Sequence, residues 1–210
     1  MRQPFYCALA AGLLLAACES PPERAGNTID LYNDLTATYP NGATINVSYR
    51  FAFLKKTERS SDQDVPDHSF FFTEAGASRP HQYLQVRVAP PQNTPAPAEA
   101  ARVWMGQRRY MVHADCLSAG TADMPPAMAS FLTEMGDKAP APGSELFVRA
   151  FHPQKPEPDG REIHVVFVQD LAPLGLTCAA IGDPARPAQE TATAVKGIVA
   201  DARRSFEIRG

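Results

Sequence analysis

The sequence predicts an α+β domain, a mainly antiparallel β-sheet with two or three helices packed against it. Three observations carry that expectation. Residues 82–89, 145–151 and 163–168 alternate apolar and polar side chains at the two-residue period of a strand. Residues 125–135 space their apolar side chains as a helix does. The connections between strands are polar loops with proline and glycine, not the helical crossovers that parallel strands require. A β-sandwich is the alternative, and the helical segments at 125–135 and beyond 190 argue against it.

Taken in order, Asn27 or Thr28 is placed to cap a short helix carrying Ile29, Leu31, Tyr32 and Leu35. The Pro40, Asn41, Gly42 turn ends it. Residues 43–54 read as one strand, with Ile45, Val47, Tyr49, Phe51 and Phe53 on a shared face. Residues 55–67 are charged and polar, an exposed loop. A short aromatic strand at 69–73 and a longer one at 82–89 follow, the latter with Leu84, Val86 and Val88 on one side. Residues 90–101 form a proline-rich loop. Val103, Trp104 and Met105, then Tyr110, Met111 and Val112, suggest a hairpin leading to Cys116. A helix over 98–105 is the rival, because alanine favours it.

The helix at 125–135 has the clearest signals. Asp123 is a candidate cap, Pro125 and Pro126 sit where a missing amide costs nothing, and Gly136 can stop it. Met124, Met128, Phe131, Leu132 and Met135 recur on one stripe, a core face first and a candidate ligand groove second. Strands at 145–151 and 163–168 read as antiparallel neighbours joined by the turn-rich 152–162. Residues 175–181 suggest one more strand. A last helix, capped by Thr191 or Thr193, presents Val195, Ile198, Val199, Ala202 and Phe206. Arg203, Arg204 and Arg209 at its end suit the negative pole of a helix. The sum is seven or eight strands.

The N-terminal end has a different character. After Arg2, residues 5–17 contain no charge, a run too short to span roughly 30 Å of hydrocarbon and typical of a secretory signal. The run ends in Leu15, Ala16, Ala17 and Cys18. These four residues resemble the lipobox of bacterial lipoproteins. The resemblance implies cleavage before Cys18, acylation of its thiol and attachment to a membrane through the acyl chains, with the domain outside the cytoplasm. Residues 18–26 then form the acylated cysteine and a polar tether, and residues 27–210 a single globular domain. Glu19 is not the aspartate of inner-membrane retention, so the resemblance favours the periplasmic side of an outer membrane.

Cys7 leaves with the signal and Cys18 is committed to lipid, which leaves Cys116 and Cys178. In the oxidising compartment that the resemblance implies, the two suggest a disulfide, with two separate buried thiols as the alternative. Cleavage also removes Arg2, so 19 basic side chains face 23 acidic ones. An acidic balance without a long basic run argues against nucleic acid as a partner.

Few residues suggest chemistry. His113 and Asp115 project from one strand face while Cys116 points away, an arrangement that can orient an imidazole or supply two metal ligands. A metal needs a third ligand from His68, His81 or His164, and no motif supplies one, so neither metal nor cofactor is assigned. No catalytic residue is assigned either, because a nucleophile elbow and a phosphate loop are both missing from the sequence. Phe70, Phe71 and Phe72, with Trp104 and Met128, are the candidate apolar ligand or partner surface, with core burial as the alternative. Three functional readings follow: an envelope lipoprotein that contacts another envelope protein, a binding module for a small apolar or lipid-like ligand, and an envelope hydrolase.

Overall fold

The computed structural model describes residues 27–29, 34–37, 44–59, 67–91, 100–156 and 160–209. The lipobox, its Cys18 and the tether lie outside these residues. So do 30–33, 38–43, 60–66, 92–99, 157–159 and 210. The fold is α+β, with antiparallel sheets and packed helices, as the alternation and the helical spacing predict.

Two sheets form. The smaller contains β1 (Asn27–Ile29), β2 (Asp34–Ala37), β3 (Thr44–Val47) and β11 (Phe206–Arg209), in the order β1-β2-β3-β11. The larger contains β4 (Phe51–Arg59), β5 (Asp67–Glu74), β6 (Gln82–Ala89), β7 (Ala101–Met105), β8 (Arg108–Ser118), β9 (Glu145–Pro153) and β10 (Glu162–Asp170). Its order is β4-β5-β6-β10-β9-β8-β7, and every neighbouring pair is antiparallel. The helices are α1 (Pro126–Met135), the single turn α2 (Cys178–Ile181) and α3 (Ala192–Arg204).

Each face of the large sheet has its own core. On the first, Phe72, Leu84, Val86, Phe147, Phe151, Val165 and Phe167 pack beneath Ile181, Val195 and Ile198 of α2 and α3 and beneath Ile45 and Phe206 of the small sheet. On the second, Phe71, Tyr83, Leu146, Val148 and Val168 meet Met128, Phe131 and Met135 of α1. The alternation seen at 145–151 therefore divides β9 between two cores. Arg149 is the polar exception on the first side. Its buried guanidinium donates to the carbonyl of Val199 at 3.1 Å and lies 5.3 Å from the Phe151 ring centroid. Burial, and then the charge of Arg203, push its pKa down to about 10.

Several local expectations are corrected. Asn27–Ile29 and Asp34–Ala37 pair as antiparallel strands in place of a helix, while Leu31 and Tyr32 of that expected helix lie outside the described residues; β2 finds β3 as a partner, and tertiary pairing outweighs a short helical pattern. The strand expected at 43–54 is two strands in different sheets. Ser48 accepts the Phe51 amide proton at 2.9 Å in the turn between them, leaving Tyr49 91% exposed while Ile45, Val47 and Phe51 are buried. A two-residue period does not reveal that the chain has changed sheets. The loop expected from residue 55 is strand as far as Arg59, because edge strand β4 tolerates charge on its open side.

The expected hairpin forms, and the rival helix does not: residues 101–105 are strand, paired with β8 across a two-residue turn. Gly106 has φ +59° there, and a Cβ would overlap the Ile208 carbonyl oxygen, so glycine lets the hairpin dock on β11. Asp123 makes no cap: Pro125 is the N-cap of α1, without a side-chain hydrogen bond. Residues 175–181 hold α2, not a strand, capped by Thr177 Oγ1, which accepts the Ala180 amide proton at 3.1 Å. Phe206 and Arg209 belong to β11, since α3 ends at Arg204. The strands number eleven among the described residues, more than the seven or eight expected.

Candidate functional site

Helix α1 covers only one end of the second sheet face. Beside it lies a cavity of about 650 Å³ floored by β5, β6, β8, β9 and β10. Strand register explains its lining. Ser69 pairs with Arg87, Arg87 with His164, His152 with Met111, and Met111 with Arg102, so these residues form a row across the sheet. The side chains that line the same face nearer α1 are Phe71, Gln85 and Val166, with Ala127, Ser130 and Phe131 of the helix forming a wall.

At the centre of the floor is a chain of imidazoles. The rings of His113 and His152 stack with centroids 5.1 Å apart and planes 3° from parallel. His152 Nδ1 lies 3.1 Å from His164 Nδ1, and His164 Nε2 lies 3.1 Å from Glu162 Oε2. The hydrogen-bond network assigns the protons. The Glu162 carboxylate can only accept, so His164 donates from Nε2 and its Nδ1 keeps a lone pair. His152 must then donate from Nδ1, which leaves Nε2 as an acceptor. At the other end, His113 Nε2 faces Asp115 Oδ2 at 3.4 Å. His152 Nε2 and His113 Nδ1 are both buried and have no hydrogen-bond partner.

The electrostatics match this arrangement. Burial, followed by His164 and His113, pushes the His152 pKa down to about 4. Burial and then Arg87 push His164 down to about 4. The hydrogen bond from His113 is the first cause of a lowered Asp115 pKa. Arg87 is neutralised by a bidentate pair with Asp67, at 2.9 and 2.6 Å. Arg59 donates to Ser130 Oγ at 2.6 Å. Neither Arg59 nor Arg102 has an acidic partner among the described residues.

A stability prediction follows. Both histidines have folded pKa values below the unfolded value of about 6.5, so the unfolded chain binds more protons between them. The stabilisation from keeping them neutral is complete above about pH 6.5 and is lost as pH falls towards 4. After allowance for solvent screening, the pair should account for about 3 kcal/mol. Urea unfolding at pH 7.5 and 4.5, compared between the native protein and His152→Gln, measures it. Identical pH dependence in both would exclude this account.

The residues singled out from the sequence are distributed as follows. His113 and Asp115 are together and line or adjoin the cavity, and His164 reaches them only through His152. His68 and His81 lie elsewhere. His68 is 1% exposed at the start of β5, and His81 faces Asp170 at 3.9 Å. Among the described residues no three His, Cys, Asp or Glu side chains are arranged to hold a metal. Cys116 and Cys178 are bonded to each other, with Cα atoms 5.4 Å apart, so neither is a free nucleophile.

The aromatic run gives no open surface. Phe70 and Phe72 are in the first core, and Phe71 is 2% exposed, reaching the cavity only at its α1 end. Met128 is in the second core, and Trp104 stands apart, 64% exposed on edge strand β7 beneath the Arg109 guanidinium. Sequence reasoning passed over His152, Arg87 and Arg102. The signal available was the recurrence of His and Arg at strand positions flanked on both sides by apolar residues.

Fold and site together define a class: an α+β domain with an open, imidazole-floored groove beside one helix. No protein-family model matches the chain, and no curated protein matches its sequence.

Proposed function

We propose that this chain is a lipid-anchored envelope protein whose domain binds a small molecule in the groove beside α1. The observation that carries the binding reading is the open half of the second sheet face. A sheet face left without cover normally carries scattered solvated side chains. This one is a cavity of about 650 Å³, within the size range of small-molecule sites, whose floor holds two buried imidazole nitrogens without partners. The anchor reading rests on Leu15, Ala16, Ala17 and Cys18 after the uncharged run. Among the described residues no helix is long and apolar enough to cross a membrane.

Mass spectrometry of protein from its native membrane tests the anchor: the first residue should be Cys18 carrying acyl mass. For the groove, a library of small soluble molecules is screened by saturation-transfer NMR against the native protein and Ala127→Trp. Ala127 is exposed and lines the cavity, so tryptophan should fill the groove without disturbing a core. Molecules that contact the protein should lose that contact in the variant. An unacylated N-terminus sinks the first half of the proposal, and contacts indifferent to Ala127→Trp sink the second. A docking role towards another envelope protein has one favouring observation, exposed Trp104 with Arg109 4.7 Å from its ring centroid on an open sheet edge.

A further inference from the structure

We infer that the open edge of β7 takes an extended acidic segment of another protein, added to the large sheet as a further strand with its carboxylates against Arg102 and Arg109. The inference deepens the docking reading above and is independent of the groove.

The backbone of the edge faces outward at known positions. Among the described residues β7 ends the large sheet, with β8 as its one neighbour. The Arg109 carbonyl accepts the Gln154 amide proton at 3.0 Å, so the backbone of Arg109 is turned towards β9 and away from Trp104 opposite. Trp104, and Arg102 two residues before it, therefore turn their own amide and carbonyl groups to the open side. Their side chains share one face with Arg109. On the other face Val103 and Met105, with Phe151 and Arg203, line a cleft of about 370 Å³. An added strand alternates its side chains between these two faces. The residues opposite Arg102 and Trp104 meet the arginines, and the one between them enters the cleft.

Charge sets the composition of that strand. Arg50, Arg186, Arg204 and Arg209 each hold a carboxylate. Arg102, Arg109 and Arg203 hold none among the described residues, and Arg109 rests on the exposed Trp104 ring. The acids of the adjoining elements are engaged elsewhere: Asp115 of β8 with His113, Asp201 of α3 with Arg204, and Glu207 of β11 with Arg209. Strand β7 itself has no acid. Carboxylate, apolar side chain, carboxylate is thus the complementary order.

Other occupants fit less well. A second copy joined through β7 would set Arg102 and Arg109 against themselves. The opposite edge, β4, carries Lys55, Lys56 and Arg59 against the single acid Glu58, and a bulge between Phe53 and Lys55 breaks its ladder. An anionic membrane surface offers acceptors to the outward amides but no donors to the outward carbonyls. An extended peptide satisfies both.

The test uses the full chain with Cys18→Ser to select short random peptides displayed on phage. Selected peptides should alternate acidic and apolar residues. Arg102→Glu and Arg109→Glu, both exposed changes, should each weaken them about tenfold or more. Methylating alternate amide nitrogens of the best peptide should weaken it about tenfold in one register and leave it unchanged in the other. Hydrogen exchange at the Arg102 and Trp104 amides should slow on binding, and exchange at Val103 should not. Peptides without acidic excess, or indifferent to both glutamate variants, overturn the acidic strand. Peptides that lose affinity in Trp104→Ala but tolerate methylation in both registers overturn strand addition and leave the docking reading intact. Failure to select any peptide overturns both, and binding instead to vesicles of equal parts phosphatidylglycerol and phosphatidylcholine would assign the patch to a membrane surface.

Discussion

Replacing Cys116 and Cys178 together by serine is expected to lower stability by about 4 kcal/mol. The bridge closes a loop of 62 residues, and a cross-link over that span removes much freedom from the unfolded chain. Its native surroundings offer little to take its place. Helix α2 has four residues, far too few to persist alone, and only Ile181 of them is buried. The cap from Thr177 holds the turn's shape but not its position on the sheet. Cys116 fixes that position from β8, where it pairs with Phe147 of β9. Urea unfolding of Cys116→Ser/Cys178→Ser against the native protein measures the loss. A change below about 1 kcal/mol would mean that packing of Ile181 and Leu171 alone seats the segment.

Phe151→Ala should cost about 4 kcal/mol, the scale of a phenylalanine removed from a core that cannot collapse around the gap. Phe151 is 0% exposed and stands at the junction of both sheets. Its ring meets Phe206 of β11 edge to face, centroids 5.1 Å apart, and carries the Arg149 guanidinium above it. Truncation therefore removes buried area, an aromatic pair and the cation's contact surface together. Trp104→Ala is the control, because Trp104 is larger yet 64% exposed, and its loss should stay within about 0.5 kcal/mol. A Phe151→Ala cost below about 1.5 kcal/mol would show that the two sheets are held together elsewhere.

What was legible in the sequence is what depends on local period. Strand β6 spans the same residues as its alternation, 82–89, and α1 differs from its expected start by one residue. The opposite faces of Leu146 and Phe147 follow from the pleat alone. Partner choice was not legible. Tyr49 continues the alternation of Ile45 and Val47, yet the chain turns there and leaves it in solvent. Residues 27–35 carry apolar spacing that suits a helix, yet β1 and β2 pair as strands, with β2 also paired to β3.

The site divides in the same way. His113 and Asp115 are two positions apart on one strand, so their pairing could be read from spacing. The neighbours that matter lie 39 and 51 positions further along, at His152 and His164. They meet because β9 lies between β8 and β10, an order no local pattern encodes. Trp104 and the phenylalanine run drew attention through rarity, but rarity says nothing about which side of a strand is covered.

The pairing of β3 with β11 has a consequence for how the protein is born. Ile45 and Val47 lie against Phe206 and Ile208, partners about 160 positions later in the chain. A ribosome or export channel delivers the early strand long before the late one. Throughout that interval the edge of β3 is a bare ladder of amide and carbonyl groups, beside apolar side chains with no lid. The unfinished chain is thus a natural client for a holding chaperone, and shortening it before Phe206 would make that dependence permanent.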